Sequence, residues 1–172
     1  MLLIPFILID IILILAPIAF FVAKKQNPFQ ELGLKKLSLK DFLKKSVLTY
    51  ANLIVFSLII AIVLSLIGLN DLVKVDEVIQ EILTLSPILI IYLLVVRVLA
   101  EEVFFRGFLV NKIGIIPSSI VFGLAHVGYG SIAQVIGAGL LGLVLAYTFK
   151  KNQNLIPNIV AHSIYNLTIL FV

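Results

Sequence analysis

Two adjacent glutamates and an arginine interrupt a long apolar run in the stretch Ala100-Glu101-Glu102-Val103-Phe104-Phe105-Arg106-Gly107-Phe108. The apolar run itself extends from Pro87 to Val110. Apolar surroundings disfavour ionised side chains unless these are paired or functional. An ion pair that joins two helices is the simplest explanation, but one arginine cannot neutralise two glutamates. The stretch therefore predicts a membrane-embedded helix with a functional carboxylate.

The composition is that of a membrane protein. The chain has 172 residues, of which 62% are hydrophobic and 13% are charged, whereas soluble domains have about 25% charged residues. Cysteine is absent, which excludes disulfides, thiol nucleophiles and thiolate metal sites. We predict an all-α fold, a polytopic transmembrane helical bundle in which residues 1–172 form a single membrane domain.

Apolar segments along the chain predict about six membrane segments, because several approach the ~20 residues that a bilayer span needs. They cover Leu2 to Ala23, Ser46 to Leu69, Pro87 to Lys112, Ile115 to Val127, Ser131 to Phe149, and a last helix from Pro157 to Val172. The fourth segment is too short to cross alone. A signal peptide is the alternative for the first segment, but no positively charged region precedes it.

Two amphipathic stretches are expected to lie along the membrane surfaces. Ser38-Leu39-Lys40-Asp41 fits a capping box, so a helix should start near Leu39 and lead into the second segment. The acidic stretch Asn70 to Leu85 has apolar residues at helical spacing and predicts a short amphipathic helix on the opposite surface.

Lysine placement predicts the orientation. With the amino terminus outside and six passes, every lysine except Lys74 falls on one side of the membrane. The positive-inside rule then makes the lysine-rich loops cytoplasmic and places both chain ends outside. We expect a multi-pass integral protein of a prokaryotic plasma membrane. Its net charge of +4 suits an anionic bilayer surface and does not indicate nucleic acid.

Polar side chains on three helices are predicted to converge at one depth. At a rise of ~1.5 Å per residue, they lie about 12–18 Å from the cytoplasmic ends of their helices. These side chains are Glu101, His126, His162 and Asn166. The chain has only two histidines, and both are in this layer. Such a set predicts a functional site inside the membrane.

Hydrolysis is the chemistry that this set supports, by one of two routes. A glutamate and a histidine can activate water while a second histidine and an amide donate hydrogen bonds to an oxyanion. Alternatively, Glu101, His126 and His162 can hold a zinc ion with one open position. The residues leave both routes open, so zinc is an alternative and not a required cofactor.

Three spaced motifs resemble those of the CPBP family, the group of type II CAAX prenyl proteases and bacteriocin-processing proteins also called Abi. They are Glu101-Glu102-x-x-x-Arg106, Phe122-x-x-x-His126 and His162-x-x-x-Asn166, and they fall in the expected catalytic core of about residues 87–166. The resemblance implies an intramembrane endopeptidase. It would cut near the C-terminus of a membrane-embedded or lipidated protein or peptide, prenylated on a CAAX motif in some relatives.

The resemblance also implies a role for each motif residue. Glu101 and His126 would activate water, the motif His162-x-x-x-Asn166 would stabilise the oxyanion, and Glu102 with Arg106 would hold the shape of the site. Two alternatives remain at this point. One is a non-catalytic scaffold or bacteriocin self-immunity protein that binds a peptide in the same cavity. The other is an ion or proton transporter, which would be expected to show inverted repeats or paired broken helices.

The remaining intramembrane charges predict specific pairs. Glu102 precedes Arg106 by four residues, a spacing that favours an ion pair. Asp10 and Arg97 fall at similar depths in the first and third segments, so we expect a structural pair between those helices. Arg97 also lies one turn before Glu101, which makes Glu101 its alternative partner.

Overall fold

The structure is a computed structural model that describes residues 3–69, 71, 73–84 and 87–171, except for the side chains of residues 3–6, 82 and 83. Within these ranges every regular element is a helix and there is no strand, which confirms the all-α prediction. The helices are α1 Leu3–Ala23, α2 Pro28–Glu31, α3 Leu39–Leu66, α4 Val73–Leu83, α5 over residues 87–113, α6 Ile115–Leu124, α7 Ile132–Asn152 and α8 Ile156–Leu170. A 3-10 turn, Val127–Tyr129, follows α6.

Helix α5 changes its winding around the two glutamates. Its α-helical parts are Pro87–Tyr92, Val98–Glu101 and Val110–Ile113, and its π-helical parts are Leu93–Arg97 and Glu102–Leu109. A π turn closes its hydrogen bonds to the fifth residue and occurs often at functional sites. The sequence pattern predicted a regular helix here, so this winding is a correction.

Among the described residues, two helices, α3 and α7, are long and apolar enough to cross a membrane by length and composition. The predicted count of about six membrane segments is therefore not confirmed. Only 17% of the apolar 18-residue stretch of α3 is buried inside the protein. Large apolar side chains such as Leu58 and Ile62 point outward. An outward apolar surface of this kind suits contact with lipid better than contact with water.

The start of α3 follows the predicted cap. The hydroxyl of Ser38 accepts a hydrogen bond from the Asp41 amide at 3.1 Å, and the helix begins at Leu39. It then continues without a break to Leu66. The expected surface helix and second membrane segment are thus one helix, because no breaker residue separates them.

Other predicted boundaries agree where the structure describes them. Helix α4 lies within the amphipathic stretch predicted over residues 70–85, although residues 70, 72 and 85 are outside the described part, as are Leu2 and Val172. Ser131 caps α7 by accepting from the Gln134 amide at 3.0 Å. The carboxylate of Asp71 also accepts from the first amides of α7, with Ile132 at 2.6 Å.

Close packing of α6 against α7 holds the second motif in place. A Cβ on Gly123 would lie 2.7 Å from the carbonyl oxygen of Val135, and one on Gly142 would lie 3.0 Å from the Phe122 ring. A side chain at position 123 would collide with this backbone, so glycine is required there, whereas at position 142 the Phe122 ring would have to shift by a few tenths of an ångström. A Cβ on Gly137 or Gly139 would meet its nearest atoms at ordinary contact distances.

Candidate active site

Glu102 is the most enclosed charged group of the site. Its side chain is 0% exposed, and Oε1 lies 3.2 Å from Nη1 of Arg106 and 2.9 Å from Nδ1 of His162. The predicted Glu102–Arg106 pair is confirmed. The contact with His162 joins α5 to α8, so the first and third motifs meet although they are far apart in sequence.

Glu101 has different partners. Its Oε1 accepts from Nε of Arg97 at 3.0 Å, and its side chain is 9% exposed. Nη1 of the same arginine donates to Oδ1 of Asp10 in α1 at 2.8 Å, and the Tyr92 hydroxyl donates to Oδ2 of Asp10 at 2.7 Å. Both predicted partners of Arg97 are therefore correct, because one guanidinium bridges the two carboxylates.

The second motif reaches the first and third through the Phe122 ring. The guanidinium carbon of Arg106 lies 3.9 Å from the centre of this ring, a cation–π contact. The imidazoles of His126 and His162 lie 4.7 and 6.2 Å from it, edge to face. The Phe122 ring therefore contacts Arg106 and both histidines, whereas no contact of Glu101 or Asn166 with this ring is seen among the described residues.

His126 lies where α6 ends and the chain turns. Its backbone, at φ −94° and ψ 5°, is in a sparsely populated region that active-site residues often occupy. Nδ1 lies 2.8 Å from the Phe122 carbonyl oxygen, which can only accept, so Nδ1 carries the proton. In the neutral ring Nε2 is then left with a lone pair.

Asn166 is half-buried on the same face of α8 as His162. Within the described part of the chain, the side-chain amide of Asn166 makes no hydrogen bond. It therefore remains available as a hydrogen-bond donor. Asn158, one turn before His162, is 0% exposed and donates from Nδ2 to the Leu145 carbonyl oxygen at 2.8 Å. It ties α8 to α7 directly below the histidine.

A family model described as "Type II CAAX prenyl endopeptidase Rce1-like" matches residues 83–168. The chain belongs to the Rce1-like family. This match confirms the resemblance drawn from the three motifs, all of which lie inside it. No curated protein and no solved structure gives a significant match to the chain. The Rce1-like assignment and the outward apolar helices together make this an integral membrane protein of a protease family.

The donor set of the Rce1-like chain does not fit a metal centre as it is arranged. Among the described residues, no group of three or more histidine, aspartate or glutamate side chains converges closely enough to hold a metal ion. Two of the three candidate zinc ligands are engaged elsewhere, since Glu101 binds Arg97 and His162 binds Glu102.

Sequence reasoning missed several contributors to this Rce1-like site. No role was assigned to Tyr92, Phe122, Asn158 or Tyr129. The Tyr129 ring stacks on the His126 ring, with ring centroids 5.9 Å apart and an interplanar angle of 12°. Helical spacing was the available signal for Asn158, because it precedes His162 by four residues. The Tyr129 stack had no such signal, since it depends on the turn after α6.

Proposed function

We propose that this protein is an intramembrane endopeptidase that hydrolyses a peptide bond near the C-terminus of a membrane-associated protein or peptide, with a prenylated CAAX-type substrate as the first candidate. One observation carries the proposal. Three motifs from distant parts of the chain meet, with Glu102 and His162 at 2.9 Å and the Phe122 ring against both histidines. Family membership supports the reaction class, and the apolar surroundings support a substrate that arrives from the bilayer.

In this proposal Glu101 acts as the base toward water. One of its oxygens is held by Arg97, and the other takes no hydrogen bond from the described residues. That second oxygen accepts a proton as the water oxygen attacks the scissile carbonyl carbon. Nε2 of His126 accepts a second hydrogen bond from the same water and orients it. The proton on Glu101 then passes to the leaving nitrogen as the peptide bond breaks.

The negative charge that develops on the carbonyl oxygen of the substrate is stabilised by side chains of α8. Asn166 donates from its amide, and His162 donates from Nε2 when its ring carries both protons. Nδ1 of His162 is directed at the Glu102 carboxylate at 2.9 Å, so Nε2 is the nitrogen that remains for the substrate. Glu102, which is paired with Arg106, holds this histidine and exchanges no proton with the substrate.

The bundle is proposed as one domain with about six membrane segments and cytoplasmic lysine loops. Lysines meet at the C-terminal end of α7, where Lys150 donates to Asn111 and Lys45 to the Asn152 carbonyl oxygen. Lys74 instead donates to the Gly130 carbonyl oxygen, just before α7 begins. This separation supports one basic, cytoplasmic surface, with both chain termini outside and a prokaryotic plasma membrane as the location.

Cleavage of defined peptides by the purified protein tests the proposal. Matched C-terminal peptides with and without a prenyl group are incubated with the wild type and with Glu101→Gln, and the products are identified by mass. We expect a released C-terminal fragment with the wild type only, and equal rates with and without a chelator. Peptide binding without cleavage under every condition would instead favour the non-catalytic scaffold or self-immunity function.

A further inference from the structure

Helix α1 lies outside the region that matches the family, yet it contacts the arginine that binds the proposed catalytic carboxylate. The match begins at residue 83, whereas Asp10 belongs to α1. Asp10 is 1% exposed and is bound on both oxygens, by Arg97 at 2.8 Å and by Tyr92 at 2.7 Å. A buried carboxylate satisfied in this way has a fixed orientation.

Arg97 transmits this orientation to Glu101. A guanidinium is a rigid planar fork, so a bond to Nη1 on one edge also fixes the direction of Nε. Nη1 binds Asp10 and Nε binds Oε1 of Glu101 at 3.0 Å. The contacts therefore form a chain from Tyr92 through Asp10 and Arg97 to Glu101.

The need for Asp10 follows from how the two arginines of α5 are held. Arg106 is 1% exposed, stacks on Phe122 at 3.9 Å and lies 3.2 Å from Glu102, so packing and an ion pair together restrain it. Arg97 is 24% exposed and its long side chain has many rotamers to lose on ordering. The Asp10 carboxylate on the far edge of its guanidinium restrains Arg97 from the side opposite Glu101.

We propose that Asp10, acting through Arg97, is a positioning residue for Glu101, so that the N-terminal helix is part of the active site. The inference rests on the proposed function, in which Glu101 takes a proton from water. In the proposed mechanism Oε1 of Glu101 is held by Arg97, and Oε2 remains for the water. Asp10 also pairs with the positive charge of Arg97, which would otherwise be paired with Glu101 alone among these two carboxylates.

Steady-state cleavage of the peptide substrate tests this positioning role. Asp10→Asn removes the charge with little change of shape, and we expect kcat to fall about tenfold, the scale for partners that orient a reacting group, with KM unchanged. Asp10→Glu should recover part of the loss. Arg97→Lys keeps the charge but not the fork, so it should lose as much as Asp10→Asn.

A double-variant comparison separates positioning from independent structural effects. If Asp10 acts through Arg97, the pair Asp10→Asn with Arg97→Gln should be no slower than Arg97→Gln alone, because coupled residues are not additive. Tyr92→Phe preserves the ring and should lower kcat by less than Asp10→Asn does. Asp41→Asn, at the surface cap of α3, is the matched control and should keep the wild-type kcat.

The outcomes distinguish this inference from the function on which it rests. Full kcat in Asp10→Asn, losses that multiply in the double variant, or a change confined to KM or to thermal stability would overturn the positioning role while leaving the protease intact. If the wild type cleaves no peptide, the proposed function fails and the positioning role fails with it.

Discussion

Glu101 and Glu102 are neighbours in sequence but lie in two different environments. Both oxygens of Glu102 are enclosed, and its Oε1 is shared by Arg106 and His162. Glu101 is held through one oxygen by Arg97 and keeps 9% of its side chain exposed. A carboxylate whose oxygens are sealed can support its neighbours but cannot reach water. We therefore propose that Glu102 supports the site and that Glu101 reacts.

The two histidines extend the same division, and their removal should give the largest effects below. His126→Ala and His162→Ala should each lower turnover at least ~10²-fold, the usual scale for an acid–base or oxyanion group. Only His162→Ala should also lower the melting temperature, because it leaves a buried carboxylate with one partner fewer. Rates and melting curves in detergent check both parts. Full activity in either variant would remove that histidine from the mechanism.

Charge exchange in the enclosed pair should give the next largest effect. Glu102→Arg or Arg106→Glu alone leaves like charges buried together, and breaking a buried pair costs on the order of 3 kcal/mol. The combined exchange should recover more stability and activity than either single change, because the residues are coupled. Melting temperature and peptide turnover of the four proteins measure this coupling. An exchange that rescues nothing would show that Glu102 does more than support the site.

Asp71 lies outside the membrane segments. Its replacement by asparagine should give the smallest effect on peptide turnover. Partial desolvation raises its pKa, but hydrogen bonds from the Ile132 and Ala133 amides and from Ser131, with the charge of Lys74, outweigh this and lower the pKa below the ordinary 3.8. Its stabilising contribution is thus complete above pH 3.8 and is lost as the pH falls through the lower folded value.

The measurement for Asp71 is the melting temperature of the wild type and of Asp71→Asn across pH. The difference between them should be constant from pH 7 down to about pH 5 and should shrink below 3.8, the unfolded pKa. Peptide turnover at neutral pH should fall less than in the histidine variants. A difference that grows as the pH falls would have the wrong sign for this capping role.

Local sequence rules predicted the parts of this molecule that depend on short spacing. The cap at Ser38, the pair Glu102–Arg106 and the helix start at Leu39 all depend on residues within one turn. Depth along the helices also brought Asp10 and Arg97 together correctly, since burial of charge requires a partner at the same level.

The remainder depends on contacts between helices, which spacing does not encode. The π winding of α5 and the position of the Phe122 ring between Arg106 and the histidines are set by tertiary packing. Helical rise also gives depth but not rotation about the helix axis, so Glu102 was predicted to meet Arg106 but not His162. The number of membrane crossings stays a prediction, because among the described residues only α3 and α7 meet the length and hydropathy expected of a span.

The proposed division of roles between the two glutamates is tested most directly by comparing Glu101→Gln with Glu102→Gln in one preparation. For each we would measure peptide turnover, peptide binding and melting temperature. We expect Glu101→Gln to abolish turnover while binding and melting temperature stay at the wild-type level. We expect Glu102→Gln to lower the melting temperature and to keep measurable turnover. Near-full turnover in Glu101→Gln, with turnover abolished in a fully stable Glu102→Gln, would show that the two roles are reversed.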